Sequence, residues 1–106
     1  MKKKKTHPNP REYRVLYRIN GSLNESTQYY NVFHSSEALD FLAHTYRSGH
    51  IHAVGQGGLK ILSVEEYDRF SQKWNNRLEQ AFEHTTSPEI SKDDTGVVRL
   101  KHIEDE

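Results

Sequence analysis

Apolar and polar residues alternate at the start of the chain in a way that predicts two β-strands. In residues 12–19 every second position is apolar: Tyr13, Val15, Tyr17 and Ile19. Alternate residues of a strand point to the same side, so these four predict one buried face. Turn-forming residues follow over 20–27, and the segment 28–34 is aromatic and β-branched. We therefore expect an antiparallel β-hairpin.

The spacing of apolar residues then changes to one that is typical of an amphipathic α-helix. Positions i, i+3, i+4 and i+7 are apolar: Leu39, Leu42, Ala43 and Tyr46. Ser35 or Ser36 is expected to cap the start of this helix, and Gly49 to end it in a left-handed conformation.

The second half of the chain repeats this succession of elements. Residues 50–54 and 59–62 read as strands joined by the turn Gly55-Gln56-Gly57-Gly58. Ser63 and Glu66 then have the spacing of a capping box, which predicts the start of a long helix. Apolar residues continue at helical spacing for about 19 residues, roughly 28 Å: Val64, Tyr67, Phe70, Trp74, Leu78, Ala81 and Phe82.

These elements predict an α+β fold of order ββαββα. The expected arrangement is a four-stranded antiparallel sheet with both helices packed on one face. Residues 97–103 also have strand propensity. The alternative is therefore a β-grasp-like fold in which 97–103 form a fifth strand.

Charge is distributed unevenly along the 106 residues. The net charge is +5 over residues 1–11, −1 over 12–82 and −4 over 83–106. This predicts a flexible basic arm at 1–11, a single domain at 12–84 and a disordered acidic tail at 85–106. The chain has no Cys and no apolar run of about 18 residues, so we expect neither disulfides nor a membrane span, and a cytoplasmic location.

His50 and His52 are the candidate metal ligands. On a strand, residues i and i+2 share a side, so the two imidazoles can chelate Zn²⁺ if a third ligand converges on them. The candidates for that third ligand are His34, His44, His84 or a carboxylate. The simpler interpretation is an exposed polar sheet face, and no cofactor is predicted.

The solvent face of the predicted sheet is the candidate nucleic-acid surface. Its basic residues, together with those of the arm, are Lys2, Lys3, Lys4, Lys5, Arg11, Arg14, Arg18 and Lys60. One face of the second strand joins them, either Tyr30, Val32 and His34 or Tyr29, Asn31 and Phe33. Such a surface can bind single strands through phosphate contacts and base stacking. A plain solvated face is the alternative, which the net charge of −1 over 12–82 favours.

The end of the predicted second helix is the candidate protein interface. Leu78, Ala81 and Phe82 are expected to extend past a small sheet and to pair with a second copy of the chain. Alternatively, residues 97–103 cover this patch in a monomer. The sequence contains no arrangement of nucleophile, base and orienting residue that would predict an enzyme. It therefore predicts a non-enzymatic binding module for a protein partner or for itself, with nucleic-acid binding as the alternative.

Overall fold

The computed structural model describes residues 9–19, 21–51 and 58–101, which form an α+β fold. Two helices and six strands follow one another in the described chain: β1 (Arg11–Ile19), β2 (Glu25–Val32), α1 (Ser35–Arg47), β3 (Leu59–Asp68), β4 (Lys73–Asn76), α2 (Leu78–His84), β5 (Ile90–Lys92) and β6 (Val98–Leu100). All strand pairs are antiparallel, and the strands lie side by side across the sheet in the order β2-β1-β3-β6-β5. One edge of β3 pairs with two strands: β6 pairs with its N-terminal part and β4 with its C-terminal part.

The first hairpin and the first helix are present as predicted, but β2 begins and ends earlier than the predicted 28–34, and the predicted cap at Ser35 or Ser36 is wrong because His34 is the N-cap residue of α1. Tyr13, Val15 and Tyr17 are 3%, 0% and 4% exposed, and they pack against the buried face of α1. The carboxylate of Glu37 accepts hydrogen bonds from the backbone N–H of Phe33 (2.8 Å) and His34 (3.0 Å), so the helix begins one residue after His34. Gly49, just beyond the helix, has the expected positive φ of 83°.

The long helix predicted from Ser63 is wrong. Strand β3 continues through Ser63 to Asp68 because both of its edges are occupied there: β1 pairs with residues up to Glu66, and β4 pairs with residues 65–68. The backbone N–H and C=O groups of these residues form hydrogen bonds with β1 and β4, in place of the hydrogen bonds they would form within a helix. The helical part is limited to the seven residues of α2.

A β-bulge in β3 explains why this strand resembles a helix in sequence. Leu16 pairs with Ser63 and Tyr17 with Ile61, which leaves Leu62 as the extra residue. The extra residue shifts the alternation, so Ile61 and Val64 both face the core although they are three apart. That spacing is also the spacing of an amphipathic helix.

The sheet has six strands rather than the predicted four because β4, β5 and β6 join β1, β2 and β3, whereas the predicted strand 50–54 is not among the six and lies mostly outside the described residues. Residues 98–100, within the segment proposed as a fifth strand, pair antiparallel with the start of β3. The disordered tail predicted from residue 85 is thus wrong for 85–101. Arg47 of α1 donates two hydrogen bonds, of 2.8 and 2.9 Å, to the buried carboxylate of Glu89, and so holds this segment against the helix.

Two further contacts join the last third of the chain to the rest. The carboxylate of Asp40 on α1 accepts hydrogen bonds from the hydroxyls of Thr85, Thr86 and Ser87. At the start of β3, Gly58 has a φ of +88°, and a Cβ there would overlap the carbonyl oxygen of Leu100. Across the described ranges, no helix is long and apolar enough to cross a membrane.

Candidate functional site

The helices cover one face of the sheet and leave the opposite face, here called the outer face, to solvent. Because Tyr13, Val15 and Tyr17 point to the helices, Arg14, Leu16 and Arg18 of β1 lie on the outer face. This confirms the predicted alternation of β1. On β2, Tyr30 and Val32 pair with inward positions of β1, so Tyr29 and Asn31 belong to the outer face.

Three aromatic side chains and one arginine form a cluster on the outer face, which we call the aromatic patch. It consists of Tyr29 on β2, Arg14 on β1, Tyr67 on β3 and Trp74 on β4. The ring centroid of Trp74 lies 5.1 Å from that of Tyr67 and 6.2 Å from that of Tyr29, the latter in an edge-to-face arrangement. Tyr29 is 66% exposed, whereas Trp74 is half-buried.

Arg14 lies between the rings of the patch and a carboxylate. Its guanidinium carbon is 4.2 Å from the centroid of the Trp74 ring, in a cation–π contact. Its Nε donates to the carboxylate of Glu65 at 2.6 Å. The guanidinium is therefore held in one orientation from two sides, and the Trp74 ring is held with it.

A second feature of the outer face is a row of cations on three neighbouring strands. Arg18, Lys60 and Arg99 are paired across β1, β3 and β6, and we call them the cationic row. Two of them have carboxylate partners: Glu25 lies 3.1 Å from Arg18, and Asp93 lies 2.8 Å from Arg99. Like charges on adjacent strands repel, and the two carboxylates reduce that repulsion.

Asp93 also organises the turn between β5 and β6. Its carboxylate accepts hydrogen bonds from the Thr95 hydroxyl, the Arg99 guanidinium and the backbone N–H of Val97. These bonds, the Thr95 hydroxyl first, hold the pKa of Asp93 well below its usual range.

The remaining residues predicted to bind nucleic acid are the four lysines of the arm and Arg11. Lys2, Lys3, Lys4 and Lys5 lie outside the described residues. Arg11 pairs across the sheet with Val32, on the side of the helices, and its guanidinium contacts the Glu66 carboxylate at 2.8 Å.

Glu66 lies in an open cleft of about 1210 Å³ between the end of the sheet and the start of α1. Its carboxylate accepts from Arg11, from Arg77 at 3.3 Å and from the Tyr13 hydroxyl at 3.5 Å. Burial, and then the Glu66 charge, raise the pKa of Tyr13. The Glu66 carboxylate is therefore already occupied by three donors. Its contacts connect β1, β3 and Arg77 at this cleft, and they are structural contacts within the protein.

The predicted metal ligands are only partly within the described chain. His50 lies in a bend after α1, not on the predicted strand, and its Nδ1 is 2.7 Å from the Ser48 hydroxyl. His52 lies outside the described residues, as does most of the predicted strand 50–54. In the described ranges, no group of three or more His, Cys, Asp or Glu side chains could hold a metal ion.

The residues predicted as a protein interface lie in the core or against it. Ala81 is fully buried, and Leu78 and Phe82 are partly buried against the core cluster. The ammonium of Lys92 lies 4.8 Å from the centroid of the Phe82 ring. These residues do not overhang the sheet because they belong to the short helix α2, which packs beside α1.

The aromatic patch was not predicted from the sequence because Tyr67 and Trp74 were assigned to the long helix expected from Ser63. A signal for the hairpin was present in the intervening residues. Asp68 accepts hydrogen bonds from the Phe70 backbone N–H and the Ser71 hydroxyl, as Asp does in turns. Gln72 completes the turn with a φ of 59°.

No protein-family model, curated protein or solved structure matches this chain.

Proposed function

We propose that the protein is a non-enzymatic binding module and that the aromatic patch is where a protein partner binds. The observation that carries this proposal is the Arg14–Trp74–Tyr67–Tyr29 cluster on the outer face. Trp, Tyr and Arg are the residues most enriched among those that dominate the binding energy of protein interfaces. A cytoplasmic location stays a prediction from the sequence.

The internal contacts of the patch favour a protein partner because they preorganise it. Trp74 contacts two rings and one guanidinium, and Glu65 fixes that guanidinium at 2.6 Å. Ordering such side chains before binding reduces the entropy lost when the complex forms. The 66% exposure of Tyr29 leaves a large apolar surface that a partner can bury.

The arginines of the outer face also favour protein over nucleic acid. Arg14, Arg18 and Arg99 each have a carboxylate within 3.1 Å. A phosphate would have to compete with Glu65, Glu25 or Asp93 for each guanidinium. Salt-dependent nucleic-acid affinity requires cations that neutralise phosphates, and these are already neutralised.

Capture experiments test the proposal with three matched chains. The parent, Trp74→Ala and the control Glu83→Ala, which changes an exposed residue of α2, are immobilised and exposed to extract from cells that express the protein. Captured proteins are purified and titrated against each chain. We expect a partner that binds the parent and the control equally and binds Trp74→Ala at least about tenfold more weakly. If every captured protein binds Trp74→Ala as tightly as the parent, the patch is not the interface.

Nucleic-acid binding is a second candidate, which the cationic row supports. Lys60 lies between Arg18 and Arg99, and it has no carboxylate partner among the ion pairs of the described residues, so its ammonium is the cation of the row that can contact a phosphate. Trp74 pairs with Tyr67, roughly 20 Å further along β3, where its ring can stack on a base of the same single-stranded nucleic acid. Fluorescence anisotropy of labelled single-stranded DNA and RNA at about 50 mM salt tests this candidate. Binding that weakens with both Lys60→Ala and Trp74→Ala would favour this candidate over the protein partner.

A further inference from the structure

The two edges of the sheet differ in how well they are protected from pairing with another strand. Strand β5, at one edge, has only three residues and includes the exposed Lys92. Strand β2, at the other edge, has eight residues. Within the described part of the chain, no strand pairs with the free side of β2.

Strand β2 also lacks the features that usually keep an edge unpaired. Residues 26–32 contain no charged residue, no Pro and no Gly. Their pairing with β1 is regular, without a bulge that would twist the edge away. Exposed edges are normally protected by charges, Pro, bulges or short length, and β2 has none of these over seven residues.

Apolar surface borders this free edge on both faces of the sheet. On the outer face, Tyr29 is 66% exposed. On the helix side, Phe41 of α1 stacks on Tyr30 with ring centroids 6.0 Å apart, and Phe41 is still 50% exposed. A strand added beside β2 would cover both surfaces while it satisfies the free backbone groups.

The free edge of β2 is compatible with a second copy of itself. Because residues 26–32 carry no charge, two such edges do not repel each other when they meet. A two-fold axis perpendicular to the sheet pairs the two β2 strands antiparallel and brings the exposed Phe41 side chains toward each other beside the joint.

We infer that the protein forms a two-fold dimer in which strand β2 pairs antiparallel with β2 of a second copy. The two six-stranded sheets become one continuous sheet, with both α1 helices on the same side. This interface goes beyond the proposed function and meets the aromatic patch only at Tyr29. Trp74, Tyr67 and Arg14 lie on the outer face of β4, β3 and β1 and stay accessible.

Charge exchange on the free edge tests the dimer without any assumption about its register. Thr27 and Asn31 are exposed outer-face residues of β2. One variant carries Thr27→Lys and Asn31→Lys, and a second carries Thr27→Glu and Asn31→Glu. The control carries Gln80→Lys and Ser91→Lys, which adds the same charge at exposed positions away from β2.

Masses are measured by light scattering at about 100 μM, with circular dichroism to confirm folding. The parent and the control should have twice the 12.4 kDa of the chain, and each charged β2 variant alone should have 12.4 kDa. An equimolar mixture of the two folded variants should recover the dimer mass, because opposite charges then meet at the edge. A monomeric parent, or folded β2 variants that stay dimeric, would overturn the inference. Trp74→Ala should leave the dimer mass unchanged, which separates this result from a failure of the aromatic patch.

Discussion

The guanidinium of Arg14 lies 4.2 Å from the centroid of the Trp74 ring, although the two residues are 60 positions apart in the chain. The contact exists because β3 pairs with β1 on one edge and with β4 on the other, which brings the two side chains to one face. The topology of the sheet thus assembles the patch from four strands.

The Arg14–Trp74 contact should be measurable as a coupling energy. Unfolding of the parent, Arg14→Ala, Trp74→Ala and the double variant in urea gives a double-mutant cycle. We expect a coupling of about 0.5–1 kcal/mol, the range for exposed cation–π pairs. The matched cycle with Arg18→Ala and Trp74→Ala should give a coupling near zero. Equal values in the two cycles would show that the Arg14–Trp74 contact contributes nothing specific.

Gly58 should tolerate substitution far less than Gly21. Both have a φ of +88°, so Ala at either position is strained by about 1–2 kcal/mol. Only at Gly58 would the new Cβ meet backbone, the carbonyl of Leu100 in β6. Gly58→Ala should therefore lower the free energy of unfolding by about 1–3 kcal/mol more than Gly21→Ala does. Similar denaturation midpoints for the two variants would contradict the close approach of β6.

Asp40 should anchor the segment that follows α2. Its carboxylate accepts from three hydroxyls and from the backbone N–H of Thr86 at 3.2 Å. Asp40→Ala should lower the free energy of unfolding by about 1–2 kcal/mol. The control Asp94→Ala changes an exposed carboxylate of the β5–β6 turn and should stay within about 0.5 kcal/mol of the parent. A loss with Asp94→Ala as large as that with Asp40→Ala would argue against this anchor.

Asp93 should make the stability of the β5–β6 turn depend on pH. Its pKa is lowered in the folded protein, so its ionised form stabilises the fold above the unfolded pKa of about 3.9. This stabilisation declines as the pH falls through the folded pKa. The stability difference between the parent and Asp93→Asn should therefore be constant from neutral pH to about pH 5 and shrink below about pH 4. A difference that stays constant down to pH 2, measured by urea unfolding, would contradict this role.

The sequence predicted the parts of the fold whose periodicity was regular. Strand β1 alternates without interruption and α1 has an uninterrupted apolar stripe, so both were predictable. Strand β3 was not, because the bulge at Leu62 puts Ile61 and Val64 on one side and imitates a helix. Strands β5 and β6 have three residues each, too few for a pattern, and depend on contacts with β3 and α1.

The candidate site was predictable only in part for the same reason. Arg14 and Arg18 follow directly from the alternation of β1, and both lie on the outer face as expected. Trp74 and Tyr67 reach that face only through the β3–β4 hairpin, which a helical assignment excludes. Long-range strand pairing, which one sequence does not display, decides their position.

Site-specific photo-cross-linking in cells tests the central claim, that a protein partner binds the aromatic patch, most directly. Replacing Tyr29 with a photoreactive phenylalanine analogue keeps an aromatic ring at the most exposed position of the patch. The same analogue at Glu83, on the helix side, is the control. After irradiation, we expect from position 29 a discrete nuclease-resistant adduct that contains a protein other than this chain, and we expect no such adduct from position 83. The same adducts from both positions, a nuclease-sensitive adduct, or no adduct beyond a second copy of the chain would contradict the claim.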